Sequence, residues 1–182
     1  MLLVVKNMGS DMGRFHFSRL LLCLPFLLLS QMTKAEDLKS PTESILLTVS
    51  GNISVHNNNQ KEAVLDLPLI RTFPEYTIET ETPWTDGITS FTGIRIKDLM
   101  AFLKSDGKLL EATALNDYSV EIPMEDIQNH DVIIAYTKNG KPMTVRDKGP
   151  LWIIYPWTDK PELKTELYHS RSIWQLIKLN IQ

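Results

Sequence analysis

The chain has 182 residues, with 19 basic and 22 acidic side chains, and 43% of its residues are hydrophobic and 23% charged. These proportions are typical of folded globular domains and exclude a disordered chain, a collagen-like repeat and a polytopic membrane protein. Beyond residue 35 there remain 15 basic and 21 acidic side chains, and this net charge of −6 disfavours binding to nucleic acid.

Residues 1–35 have the pattern of a signal peptide. Basic residues precede an apolar run at 20–29, which is too short to cross a bilayer as a helix, and a small-x-small pattern ends at Ala35. The pattern predicts cleavage near Ala35 and a periplasmic or secreted protein, with an uncleaved membrane anchor as the alternative. Cleavage would remove Cys23, the sole cysteine of the chain.

The remaining chain is predicted to be a polar, flexible leader at 36–44 and one domain at 45–182. Runs rich in β-branched and apolar residues predict strands, at 45–49, 76–82, 88–94, 111–115, 118–122, 132–137, 142–145 and 151–155. The run at 63–67 predicts a strand or a step from a strand to a helix. Helical spacing or a favourable first turn predicts short helices, at 96–103, 123–126 and 161–168. The last segment, 174–181, is compatible with a helix end or a strand. The fold class that these elements indicate is α+β, a mixed, mostly β single domain with short helices.

The first candidate site is the turn that contains Trp84 and Asp86. A tryptophan in a polar turn after an exposed strand can form the floor of a ligand pocket. The alternative is that Trp84 covers the hydrophobic core, and the sequence favours neither interpretation.

The second candidate is Asn116, Asp117 and Tyr118, between two predicted strands. Asn and Asp are typical turn residues, so a purely structural role is one interpretation. In the other, these residues contribute to a binding site and the hydroxyl of Tyr118 points into a cleft.

The third candidate combines Arg146 and Lys148, which flank a turn before Gly149, with Arg171 further along the chain. Cations beside a glycine suit a phosphate or carboxylate group. Local pairing with Asp147 is the alternative. The three histidines beyond residue 35 lack the spacing of zinc ligands, and no nucleophile or phosphate-binding motif is present.

Six segments, in this order, resemble the molybdopterin-binding domain of the sulfite oxidase type. They are FTGIRIKDLM at 91–100, NDYSVEIP at 116–123, DVIIAY at 131–136, NGKPM at 139–143, GPLWIIYP at 149–156 and SRSIW at 170–174. The resemblance implies that fold and a place for Tyr118 at the position of the active-site tyrosine, as a catalytic residue. It also implies a molybdenum-ligating cysteine after the strand at 76–82, where this chain has Pro83 and Trp84.

The missing cysteine makes cysteine-ligated molybdenum chemistry doubtful, because an indole cannot replace a thiolate ligand. We therefore expect an exported domain that binds a small anionic or pterin-like ligand, or a membrane partner such as a sensor or redox protein. No bound cofactor is expected, although molybdopterin is possible. One alternative is a molybdopterin-dependent oxidoreductase with a non-cysteine metal site, so the enzymatic status stays open. The other is a purely structural or interaction protein.

Overall fold

A computed structural model describes residues 37–182 of the chain. The predicted signal peptide and its cleavage near Ala35 lie outside the described residues and stay predictions. The first residue of the predicted leader, at position 36, also lies outside them. Within the described residues, no helix is long and apolar enough to cross a membrane.

The described chain contains ten strands, four short helices and two 3₁₀ turns. The strands are β1 (Leu47–Gly51), β2 (Ala63–Leu65), β3 (Glu75–Thr80), β4 (Thr89–Arg95), β5 (Leu109–Ala114), β6 (Ser119–Pro123), β7 (Ile133–Lys138), β8 (Lys141–Pro142), β9 (Trp152–Ile154) and β10 (Leu176–Ile181). The helices are α1 (Leu67–Ile70), α2 (Ile96–Phe102), α3 (Met124–Asn129) and α4 (Glu166–Arg171), and the 3₁₀ turns are Val145–Asp147 and Pro161–Leu163. The predicted α+β, mostly β fold class is confirmed.

The first sheet has the strand order β2-β1-β10-β5-β6. The terminal strands β1 and β10 pair in parallel, with Thr48 opposite Lys178, and the other pairs are antiparallel. Alternate residues of β5 are buried, as expected for a strand with one face on the core. The segment whose type the sequence left open is therefore a strand, β10.

The second sheet is built around β7, which pairs with β4 along one edge and with β8 and β9 along the other, while β3 pairs with β4. Asn139 and Gly140 form the predicted tight turn after β7, both with positive φ. Gly93 lies at a bulge in β4, where an added Cβ would collide with the backbone carbonyl of Ile134. This contact explains the glycine in the middle of a strand.

Two predicted elements differ from the structure. The predicted strand at 142–145 ends at Pro142, because the chain then turns and Thr144 O accepts hydrogen bonds from the N–H groups of Asp147 and Gly149. The predicted helix at 161–168 is a 3₁₀ turn followed by α4, since Thr165 between them is extended. Buried side chains from both sheets form one hydrophobic cluster, which includes the fully buried Trp152.

Asp66 joins the end of the leader to the start of α1. Its Oδ1 accepts from the N–H of Leu69 at 2.9 Å, and its Oδ2 accepts from those of Thr42 at 2.6 Å and Glu43 at 2.8 Å. Burial alone would raise the pKa of Asp66, but the N–H donors stabilise the carboxylate and hold the pKa below its usual value of 3.8.

We expect Asp66→Asn to destabilise the protein near neutral pH, because the amide Nδ2 would face N–H donors. A folded-state pKa below the unfolded one stabilises the fold above the unfolded value, and this stabilisation is lost as the pH falls through the folded-state pKa. The difference in unfolding free energy between wild type and variant should therefore shrink below about pH 4. Urea unfolding between neutral pH and pH values below about 4 measures this difference in unfolding free energy. Asp159→Asn is the control, because Asp159 is exposed. A difference that does not vary with pH would contradict the role of the ionised carboxylate.

Candidate functional site

A cavity of about 360 Å³ brings together residues that are distant in the sequence. The turn after β3 contributes to it, as do the β5–β6 turn, α4 and the segment between α4 and β10. The lining residues are Trp84, Ala114, Asn116, Tyr118, Glu166, His169, Ser170, Ser172, Ile173 and Trp174. Of the predicted site residues, Trp84, Asn116 and Tyr118 meet here.

Trp84 belongs to both the cavity and a cluster of aromatic rings. Its backbone N–H donates to Thr82 Oγ1 at 3.1 Å, which fixes the turn. Its ring centroid lies 5.3 Å from that of Trp174, 5.8 Å from Trp152 and 6.2 Å from Trp157, in tilted or edge-to-face arrangements that favour aromatic pairs. The two interpretations of Trp84 are therefore compatible, because the half-buried ring covers the core and lines the cavity.

Lys148 lies against the same aromatic cluster. Its Nζ is 3.8 Å from the ring centroid of Trp174, 5.7 Å from that of Trp152 and 5.9 Å from that of Trp84. Burial lowers the pKa of Lys148, and the nearby charge of Lys138 lowers it further. The ammonium group is thus held by cation–π contacts and contacts the cluster that lines the cavity.

The β5–β6 turn presents Tyr118 at the cavity. Asp117 has a φ of 64°, and Asn116 Oδ1 accepts from the N–H of Tyr118 at 3.3 Å, which is the local turn geometry that Asn and Asp favour. Tyr118 is 52% exposed. Asn116 and Tyr118 therefore have a turn role and a cavity position at once, whereas Asp117 does not line the cavity.

Arg171 has a different position from the one that anion binding requires. Its Nη1 lies 2.7 Å from Asp126 Oδ2, which also accepts from the hydroxyl of Tyr155 at 3.2 Å. Burial raises the pKa of Tyr155, and the Asp126 carboxylate raises it further, so Tyr155 stays a neutral donor. Arg171 connects α4 to α3 and does not line the cavity.

Two further predicted residues also lie outside the cavity lining. Arg146 is exposed in the 3₁₀ turn Val145–Asp147, and Asp86 is exposed in the turn after β3. The carboxylate of Asp147 accepts from the Thr144 hydroxyl at 2.7 Å, whereas no ion pair joins it to Arg146 or Lys148 within the described residues. The structure therefore brings none of the three predicted cations into the lining.

Sequence reasoning missed the contribution of α4 to the cavity. Glu166, His169 and Ser170 all line it. Their spacing of three and four residues places them on one face of a helix. That spacing was visible in the sequence, but the helix was predicted to end at Tyr168, so the common face was not recognised.

The donor groups present do not fit a molybdenum ion held by a thiolate. Residues 37–182 contain no cysteine, and they contain no group of three or more His, Cys, Asp or Glu that could hold a metal ion. At the turn after β3, the chain has Trp84, whose indole offers no lone pair to a metal. The lining instead contains three aromatic side chains, those of Trp84, Trp174 and Tyr118.

Comparisons with known proteins agree on the fold. The crystal structure of the sulfane dehydrogenase SoxCD from Paracoccus pantotrophus is similar, with a TM-score of 0.55 and 19% sequence identity, over 74% of this chain. This chain spans only 37% of that one, so the likeness concerns one part of SoxCD. Among curated proteins, no match is found.

The sequence also matches the model of the family described as oxidoreductase molybdopterin binding domain, over residues 50–159. This match covers more than half of the chain and includes, in full, five of the six segments that carried the resemblance. The expected sulfite oxidase-type fold is confirmed, and the chain belongs to the oxidoreductase molybdopterin binding domain family.

Proposed function

We propose that this protein is a ligand-binding member of its family, which holds a planar, pterin-like ring in the cavity without thiolate-ligated molybdenum chemistry. The observation that carries the proposal is the position of Trp84. It occupies the turn after β3, where the resemblance implies the metal ligand, and its ring lines the cavity.

The size and lining of the cavity support a small ring as the ligand. Small-molecule sites are concave, of about 300–1,000 Å³, and combine apolar walls with a few polar groups. Here the walls are Trp84, Trp174 and Tyr118, and Asn116 and Ser170 can hydrogen-bond to the edge of a heteroaromatic ring. A ring of the size of pterin matches both features.

The other functions expected from the sequence have less support. A small inorganic anion would need cations in the lining, and the predicted ones lie elsewhere. An oxidoreductase whose molybdenum is held by the cofactor's dithiolene and by solvent alone would have no protein ligand on the metal, because Trp84 stands where the resemblance implies the cysteine. A purely structural or interaction protein would not need the cavity, and it predicts no ligand. Export and a membrane-bound partner remain compatible with ligand binding and belong to the proposal.

We expect the purified protein to bind pterin saturably, and Trp84→Ala or Tyr118→Ala to weaken binding. An aromatic stack contributes about 0.5–1.5 kcal/mol beyond the area buried, so each substitution should raise Kd by up to about tenfold. Isothermal titration calorimetry measures Kd without depending on tryptophan fluorescence.

Tyr76→Ala is the matched control, because Tyr76 is also an exposed tyrosine but does not line the cavity. Its Kd should equal that of wild type. Absence of saturable binding to wild type, or an equal loss in Tyr76→Ala and Tyr118→Ala, would reject the proposal.

A further inference from the structure

We propose that the ring bound in this cavity carries a positive charge. This inference rests on the proposed function, since it assigns a charge class to the ligand of the same site. Three features of the described residues carry it: the carboxylate that lines the cavity, the aromatic rings of its walls and the charge of the domain.

The charged side chains favour a cation. The cavity lining contains the carboxylate of Glu166 and no lysine or arginine. Arg171 stands between the lining residues Ser170 and Ser172 in the sequence. It is paired with Asp126 at 2.7 Å and is not available to a ligand. Beyond residue 35 the chain also has a net charge of −6, which attracts cations to the surface.

The aromatic cluster already binds one cation. Lys148 Nζ lies 3.8 Å from the ring centroid of Trp174, and between residues 37 and 182 it makes neither a hydrogen bond nor an ion pair. Contacts with indole rings therefore hold this ammonium group. The negative face of an aromatic ring attracts cations, and both Trp174 and Trp84 also line the cavity. A ligand in the cavity therefore meets indole rings of the same kind as those that hold the ammonium group of Lys148.

Lys148 consequently opposes a cationic ligand. The direction in which its removal changes the affinity therefore tells a cationic ligand from an anionic one. Like charges near the same rings repel, so removing the ammonium group should tighten the binding of a cation and weaken that of an anion. Removing the charge of Glu166 should have the reverse effect. A ligand class is thus identified by two substitutions that act in opposite directions.

Three nicotinamide-type rings of similar size test the charge class. They are ring-methylated nicotinamide, which is a permanent cation, nicotinamide, which is neutral, and nicotinate, which is an anion at neutral pH. We expect the cation to bind about twofold to fivefold more tightly than the neutral ring, and the anion to bind most weakly. Calorimetry on the full-length protein at low salt measures all three, and added salt should reduce the differences.

For the cationic ring, Glu166→Gln should raise Kd about twofold to fivefold, and Lys148→Met should lower it by a similar factor. Glu162→Gln and Lys108→Met are the controls, since both residues are exposed and absent from the cavity lining. They change the net charge by the same amount and should leave Kd nearly unchanged. Thermal melts confirm that each variant is folded. Glu166 is exposed, so Glu166→Gln is expected to fold and keeps the test valid if Lys148→Met is unstable.

The outcomes separate this inference from the proposed function. Equal binding of the three rings, or tightest binding of nicotinate, would overturn the charge class and leave ring binding in place. Absence of binding by pterin and by all three rings would overturn both. Opposite shifts in Glu166→Gln and Lys148→Met, with unchanged controls, would establish the cationic ligand.

Discussion

Replacing Arg171 with Met is expected to lower the free energy of unfolding by about 3–5 kcal/mol, because it leaves a buried carboxylate without its partner. The side chains of Arg171 and Asp126 are only 14% and 10% exposed, and their contact distance is 2.7 Å. The hydroxyl of Tyr155 would be the remaining donor to Asp126. Urea unfolding followed by circular dichroism measures the loss.

The double variant Asp126→Asn/Arg171→Met should recover much of this stability. It removes both charges, and the Asn oxygen can still accept the hydrogen bond from Tyr155. A double-mutant cycle should therefore give a coupling of about 2–3 kcal/mol between the two residues.

An exposed ion pair provides the control for this measurement. Lys164 Nζ lies 3.5 Å from Glu81 Oε2, with side chains 44% and 57% exposed. Such pairs contribute about 0–1 kcal/mol, so Lys164→Met should have a small effect. A loss in Arg171→Met as small as that in Lys164→Met would show that the buried pair does not stabilise α4, and Arg171 would again be free to act on a ligand.

The Arg171 pair also illustrates which part of the site could not be predicted from the sequence. Arg171 and Asp126 are 45 residues apart and lie on different helices, α4 and α3. An arginine near small polar residues suits an anion as well as a buried carboxylate, and only the tertiary contact decides between them. The expectation that Arg171 helps to bind an anion therefore rested on its residue type alone.

Most strands, by contrast, could be predicted, because their signals are local. The Asn139-Gly140 turn specifies a tight hairpin wherever it occurs, and the apolar run at 151–155 has the composition of a buried strand. The parallel pairing of β1 with β10 was not predictable, since it joins residues such as Thr48 and Lys178 from opposite ends of the chain.

The residues that line the cavity could be predicted only in part. Trp84, Asn116 and Tyr118 were recognised because turns with aromatic residues stand out in a sequence. Glu166 and His169 were missed, because their role depends on which face α4 turns to the cavity. The helical spacing of Glu166, His169 and Ser170 was the available signal, and a helix boundary three residues too early concealed it.

The second large expected effect is a difference in unfolding free energy between variants of Trp152 and of Trp84, two residues of the aromatic cluster. Trp152 is completely buried, donates from Nε1 to the carbonyl of Ser172 at 3.1 Å and packs against Phe91 at a centroid distance of 5.3 Å. Trp152→Ala should therefore lower the free energy of unfolding by about 3–5 kcal/mol, from lost burial and the cavity that remains.

Trp84→Ala should lower the unfolding free energy by only about 1–2 kcal/mol, because its ring is half-buried and one side faces the ligand cavity. The two substitutions remove the same atoms, so the difference reports the environment of each ring. Urea unfolding of both variants measures it, and Trp152→Phe, which keeps an aromatic ring, serves if Trp152→Ala does not fold.

Ligand binding should follow the opposite order. Trp84→Ala should raise the Kd for pterin by up to about tenfold in a folded protein, whereas Trp152→Phe should change Kd little, because Trp152 does not line the cavity. Equal losses of stability in Trp84→Ala and Trp152→Ala would instead make Trp84 a core residue. Its ring would then occupy the position of the expected metal ligand only to complete the hydrophobic core, and the case for a ring-binding site would depend on Tyr118 and Trp174 alone.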